Sequence, residues 1–387
     1  MTPAARVAAA IEVLDACRAG QAAEQALTRW ARKSRFAGSK DRAAVRDHVY
    51  DVLRSKQSAM RLGGGETGRA LMIGLLRLQN LDPDRYFTGT GHAPDVLRET
   101  ERQCATPQDA DPDWNLPAWL IEEFEASLGD RAFDTARLLR DRGPVTIRVN
   151  AAVASVATIV DALEKDGVAT RRNPLSPTAL TVTVGARRLR QSPLYQKGAF
   201  ELQDASSQAV VDTLPSAGTC LDFCAGGGGK SLAMAAQPNR LVFAHDIDPE
   251  RMQDLKTRAE RAGVTIPAVA TDDLAGKGPF DLVLCDAPCS GSGAWRRSPE
   301  AKWTLTPERL DALCKTQLSI LHQASQLISQ NGCLAYATCS VLRAENESIV
   351  DAFLSSHIGW TCDFHRRFDV SEDGDGFFTA HLTQVDC

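Results

Sequence analysis

The chain has 387 residues, 43% hydrophobic and 24% charged, with 44 Lys plus Arg against 49 Asp plus Glu and a net charge of −5. These proportions exclude a disordered, collagen-like or coiled-coil polypeptide, and the acidic balance excludes a uniformly basic nucleic-acid coat. The length exceeds one ordinary core, since domains mostly run about 100 to 200 residues, so two or three are expected.

The first 57 residues are alanine-rich and place Val7, Ile11 and Leu14, then Val45, Val49 and Leu53, at helical spacing. Arg6, Glu12 and Asp15 break the opening apolar run, so neither an export signal nor a membrane span is expected. From Arg29 to Lys56 the basic residues Arg29, Arg32, Lys33, Arg35, Lys40, Arg42, Arg46, Arg54 and Lys56 face only Asp41, Asp47 and Asp51, a local excess of +6. Such a run is either a solvated helix face or a polyanion-binding surface. Residues 1–88 are read as a helical region. Residues 89–115, with Gly89, Gly91 and Pro94, read as a mobile linker.

Residues 116–197 read as a small α/β module of ferredoxin-like type. Pro117 opens a helix with Trp119, Leu120, Phe124 and Leu128 on one face and Gly129 as its stop. VTIRVN (145–150) alternates like a strand, VATIVDALEKDGV is a helix ending at Gly167, and ALTVTVG is a second strand. From 198 to 387 strands and helices alternate: TCLDFCAGGGGKSLAMAAQ, RLVFAHDID, PERMQDLKTRAERAG, FDLVLCDAPCSGSG, a long helix capped by Thr306, and GCLAYATCSV. That rhythm implies a mostly parallel, doubly wound, Rossmann-like sheet with its ligands at the carboxyl ends of the strands. The eleven cysteines are scattered, and Cys220/Cys224 and Cys285/Cys289 lack the spacing of zinc pairs. A reduced, cytoplasmic enzyme without a metal is expected.

Chemistry gathers at the strand ends. Gly226 to Gly229 form a turn between a strand and a helix beginning near Lys230, where backbone amides face a polar ligand. A Walker loop would need glycine at the position held by Cys224, and a dinucleotide fingerprint does not fit a continuous run of four. An S-adenosylmethionine site is the remaining ligand reading. Asp246, 24 residues after Asp222, ends the next strand where a carboxylate accepts from ribose hydroxyls, with Asp248 an alternative on the same side. Asp272 or Asp273, beyond a short third strand, would accept from an adenine amino group. Asp286-Ala287-Pro288-Cys289 follows the apolar strand LVLC, and Cys339 lies at another strand end in Tyr336-Ala337-Thr338-Cys339-Ser340. A buried cysteine is usually a small hydrophobe, but these two, flanked by Ser, Thr and Asp, fit that description poorly.

The segments PAWL, PVTIRVN, LYQKGAFELQDASSQ, DFCAGGGGK, DAPCSGSG, RRSPEAKW, YATCSVLRAENE and GDGFF, from about Leu116 to Leu382, make the sequence similar to the bacterial ribosomal RNA cytosine-5 methyltransferases of the Fmu/Sun type, within the wider Nop2/Sun group. The Pro-Cys and Thr-Cys-Ser motifs are specific to that group. One departure is Gly226-Gly227 where the family has Ala-Pro, which loosens the turn. The amino-terminal helices resemble a shortened NusB-like RNA-binding domain. The resemblance implies S-adenosylmethionine as cofactor, held by Cys224, Ala225, Gly226, Gly227, Gly228, Gly229 and Lys230, with Asp246 at the ribose, Asp272 at the adenine and Asp286 near the methyl centre. It implies Cys339 as nucleophile and Cys289 as the thiol that assists release. Lys230, Arg296, Arg297 and Lys302 are either RNA contacts or solvated cations. Small-subunit ribosomal RNA is the expected substrate of a monomeric enzyme. Transfer RNA, a DNA cytosine methyltransferase and a non-catalytic RNA-binding assembly factor are the alternatives, and both thiols with Asp286 speak against the last.

Overall fold

The computed structural model describes residues 1–103 and 113–385. The chain divides into two compact units, one of Met1–Glu122, Ala132–Arg142 and Trp295–Thr304, the other of Glu123–Arg131, Gly143–Ala294 and Leu305–Cys387.

The first unit is helical: α1 (Pro3–Arg18), α2 (Ala23–Lys33), α3 (Ser39–Arg54), α4 (Lys56–Gly63) and α5 (Gly68–Leu78). The boundary between units falls within α6 (Ala118–Leu128), and α7 (Ala132–Leu138) returns to the first. Val7, Val13 and Leu14 of α1, Val45, Val49 and Val52 of α3, and Met72, Ile73 and Leu76 of α5 share one core with Leu27 and Trp30. Close approach of α4 and α5 depends on Gly74, where a Cβ would stand 1.8 Å from the Ala59 carbonyl oxygen. Of the expected linker at 89–115, residues 104–112 lie outside the described residues. Its described part is tied down: the Arg69 guanidinium donates to the carbonyls of Asp95 and Val96 and to the Glu101 carboxylate, and fully buried Asn115 bonds Ser58.

Trp295–Thr304 completes this unit from far along the chain. Ala22 precedes α2 and has no side chain able to cap it, yet the Ala23 N–H is satisfied by the Glu300 carboxylate at 3.0 and 3.1 Å. At its carboxyl end α3 leaves carbonyls open, as every helix does. Trp303 Nε1 donates to Leu53 O at 2.7 Å and Lys302 Nζ to Arg54 O at 2.9 Å, while Arg54 Nε donates to Arg296 O at 2.8 Å.

The second unit holds two sheets. The strands β1 (Val145–Val149), β2 (Ala169–Arg172), β3 (Ala179–Val184) and β4 (Phe200–Leu202) form an antiparallel sheet in the order β2-β3-β1-β4, and α8 (Val156–Lys165) joins β1 to β2. Ile147 and Val149 pack with Ile159, Leu163, Leu180 and Phe200, giving a ferredoxin-like module. After α9 (Ala205–Asp212), the chain lays down β5 (Thr219–Asp222), α10 (Gly229–Ala235), β6 (Leu241–Ala244), α11 (Leu255–Ala262), β7 (Phe280–Asp286), α12 (Pro307–Ser325), β8 (Ile328–Thr338), α13 (Glu347–Ser356), β9 (Trp360–Phe368) and β10 (Phe377–Gln384). The sheet order is β6-β5-β7-β8-β10-β9, with β5 to β8 pairing in parallel and β10 antiparallel to both neighbours. Strand β7 is covered on both faces, Leu282 and Leu284 entering one core and Val283 and Cys285 the other.

Two expected elements differ. The short third strand before Asp272 is reduced to one bridge, Ala244 to Ala268. PERMQDLKTRAERAG is not one helix, because Asp248 caps a tight turn at Pro249–Met252 by accepting from Glu250 N, and α11 starts only at Leu255.

Candidate active site

Three consecutive strand ends, β5, β6 and β7, set out one edge of the site. After β5 the loop turns through Gly226 (φ +50°) and Gly228 (φ +75°), both in the left-handed region, and a Cβ on Gly228 would lie 2.2 Å from Leu255 Cδ1. The Gly226 N–H donates to Asp246 Oδ2 at 2.9 Å, which docks the loop on the end of β6. Asp246 is buried, accepts also from Asp248 N at 3.1 Å, and meets Arg251 at 3.2 Å. Asp248 is exposed and occupied as a cap. Asp272 and Asp273 sit exposed in a short turn, Thr271–Asp273, which Thr271 ties to His245 at 3.0 Å.

Asp222 ends β5 fully buried, its Oδ2 accepting from Ser231 at 2.6 Å and its Oδ1 without a hydrogen-bond partner among the described residues. Burial pushes its carboxyl up to about 7, with the Asp286 charge adding to the rise and the Ser231 hydroxyl opposing it. A buried acceptor left open beside a glycine turn suits a ligand that brings an ammonium or N–H group, as S-adenosylmethionine does. The residues present therefore fit that cofactor.

Lys230 does not point to solvent. It is buried, its Nζ 2.7 Å from Asp286 Oδ2 and 5.0 Å from the Phe377 ring centroid. Burial opposes its charge, but the adjacent Asp286 carboxylate outweighs that and raises its pKa.

The loops after β7 and β8 bring Cys289 and Cys339 together, with 3.4 Å between the sulfurs. The pairing of Ala287 N with Ala337 O and of Gly293 N with Cys339 O, both at 2.9 Å, zips the two loops side by side. The Cys289 pKa lies well above the usual thiol value, held there by the hydrogen bond with Cys339, then by burial and by the charges of Cys339 and Glu345.

Glu345 is not among the residues that the sequence motifs mark. Its carboxylate accepts from Ser290 N at 2.7 Å, Ser340 Oγ at 2.6 Å, Gln317 Nε2 at 3.1 Å and Ser290 Oγ. The available signal was an acid three residues beyond the apolar Val341-Leu342 pair, where a surface residue is not expected. Of the expected RNA contacts, Arg296 and Lys302 are buried in the helical unit, Lys302 with its ammonium given to Arg54 O, and Arg297 is exposed there. They belong to the first unit, and the strand-end cluster to the second.

A family model described as 16S rRNA methyltransferase RsmB/F matches residues 213–383, and one described as the ferredoxin-like domain of RsmF/B-like methyltransferases matches 116–187. The ribosomal RNA small subunit methyltransferase B of Xanthomonas campestris is 32% identical over 317 residues, covering 75% of this chain and 71% of that protein. The chain belongs to the RsmB/F family. The probable ribosomal RNA small subunit methyltransferase B of Bacillus subtilis is 32% identical over 281 residues, 68% of this chain and 62% of that protein, so the match spans somewhat less than two thirds of that relative's length. The crystal structure of PH0851 superimposes with a TM-score of 0.76 at 24% identity over 99% of both chains, a likeness of fold. As an RsmB/F member the chain is an S-adenosylmethionine-dependent RNA cytosine-5 methyltransferase with a class I Rossmann-like domain. Among the described residues no helix is long and apolar enough to cross a membrane.

Proposed function

We propose that the chain methylates C5 of a cytosine in small-subunit ribosomal RNA, with Cys339 as nucleophile, Cys289 as the release thiol and Asp286 at the base. The carrying observation is the pair of thiols 3.4 Å apart at two neighbouring strand ends, one of them next to an Asp–Lys ion pair. The names of the family and of its relatives support the ribosomal substrate.

Cytosine C5 is too weak a nucleophile to accept a methyl group unaided. The Cys339 thiolate adds to C6, and as the ring takes up charge a proton passes from the Lys230 ammonium through the Asp286 carboxylate, 2.7 Å from it, to N3. S-adenosylmethionine, when bound, supplies an electrophilic methyl group to C5. Residues 224–230 hold its methionine portion, Asp246 its ribose and Asp272 its adenine. Loss of the C5 proton to water and return of the N3 proton through Asp286 to Lys230 then let the C6–S bond break, with the Cys289 S–H donating a hydrogen bond to the departing Cys339 thiolate. The target base must leave its stack to reach the two thiols.

Bisulfite sequencing of total RNA from cells with and without the gene tests the assignment. One small-subunit cytosine should lose its protection in the deletion. Loss confined to transfer RNA, or no loss anywhere, overturns it.

A further inference from the structure

Glu345 lies beside the two thiols, and no step assigned above uses it. It is fully buried and has no ion-pair partner among the described residues. Its charge is met instead by the N–H and O–H donors of Ser290, Ser340 and Gln317. A buried carboxylate costs free energy to desolvate, which its hydrogen bonds offset. The pattern of its partners points to what the carboxylate supplies. Ser290 follows Cys289 directly and Ser340 follows Cys339 directly, so each thiol is one residue from a group on the same carboxylate. Gln317, from α12, donates both to this carboxylate and to Pro288 O at 2.9 Å, just before the first thiol. The Glu345 backbone is itself fixed, since its carbonyl accepts from Tyr336 Oη of β8 at 2.6 Å.

We propose that Glu345 is the positioning residue of the thiol pair, its carboxylate clamping the Cys289 loop to the Cys339 loop so that the sulfurs stay within hydrogen-bonding distance through turnover. The proposal rests on the reading of both thiols as participants in the reaction. Its charge also acts in the right sense on the chemistry, because a negative group beside Cys289 adds to what keeps the proton on that release thiol.

The test compares Glu345→Ala and Glu345→Gln in the full chain. Cofactor affinity is measured by calorimetry, and kcat and KM are measured on in vitro transcribed small-subunit ribosomal RNA. Sulfur spacing is measured without RNA, as the rate at which diamide oxidises Cys289 and Cys339 to a disulfide, the diamide being reduced to its hydrazine; peptide mass mapping reads the loss of two hydrogens. Glu345→Ala should lower kcat by about 100-fold, the scale of an ångström-sized misplacement, while cofactor affinity and RNA KM stay near the parent's. Disulfide closure should slow in parallel, and Glu345→Gln should recover part of both. A parental kcat in Glu345→Ala, or a lost kcat with unchanged closure, overturns the proposal. If that variant does not fold, Ser290→Ala combined with Ser340→Ala removes both hydroxyl partners and is read the same way. Full turnover by Cys289→Ala and by Cys339→Ala would remove the underlying reading of the thiols, whereas the closure rate would still decide whether Glu345 sets their spacing.

Discussion

Single side chains divide the site's labour, and substitutions separate them. Asp246 already holds the glycine loop through Gly226 N. If it also accepts from the ribose, Asp246→Ala should weaken cofactor binding by about 2 to 3 kcal/mol, the range for charge-assisted hydrogen bonds, with calorimetry as the measurement. Exposed Asp248, occupied as a turn cap, should leave affinity near the parent's when changed to Ala. For the thiols, Cys339→Ala should bind RNA and cofactor yet transfer no methyl group. Cys289→Ala should transfer the methyl group and stall, giving a ribonuclease-sensitive, slow-migrating band on denaturing gels that the double variant lacks. The reverse pattern would exchange the two roles. These residues were legible because motifs at strand ends announce them. Glu345, Asp222 and the burial of Lys230 were not, since what defines each is a partner distant in sequence: Ser290 lies 55 residues before Glu345 and Asp286 lies 56 after Lys230.

At the scale of elements, the basic excess between Arg29 and Lys56 is not spread evenly. Its acids are occupied, Asp41 by the amino terminus and Arg6, and Asp47 and Asp51 by Arg142 and Arg54. Arg46 is taken by Glu24. What remains is the corner from the end of α2 to the start of α3, where exposed Arg29, Arg32, Lys33, Arg35 and Lys40 have no ion-pair partner among the described residues, next to a groove of about 680 Å³ lined in part by Arg32, Arg35 and Arg42. Changing Arg32, Arg35 and Lys40 together to Ala should make the logarithmic salt dependence of RNA binding shallower by about 2 to 3, one counterion-release increment per lost phosphate contact. Filter binding at several salt concentrations measures it, and an unchanged slope would leave the corner merely solvated. The parallel sheet was legible from apolar runs punctuated by glycine and acid. The broken helix before α11 was not, because the apolar spacing Met252, Leu255, Ala259 runs on across the break at Gln253–Asp254 and only backbone geometry interrupts it.

At the scale of the whole molecule, the sequence reads as successive domains, but the helical unit is discontinuous: Trp295–Thr304 belongs to it. Periodicity cannot reveal this, because a ten-residue segment has no pattern of its own and acquires its place through Glu300, Lys302 and Trp303. Burial pulls Lys302 down to about 7, with Arg140 and Arg54 adding to the shift. A lysine depressed in the folded state costs stability as pH falls from its unfolded value, about 10.4, through 7. Lys302→Met should therefore gain stability relative to the parent as pH is lowered from 10 to 7, as denaturant midpoints at both pH values would show, and should leave the RNA salt slope unchanged. A fragment of residues 1–142 should likewise melt higher as a peptide of residues 293–305 is added, since the peptide binds only the folded form. The Glu300 cap on α2 spans 277 residues. On a ribosome working at about 5 to 20 residues per second, α2 waits roughly 14 to 55 s for its cap, so the part of the protein made first is among the last to be finished.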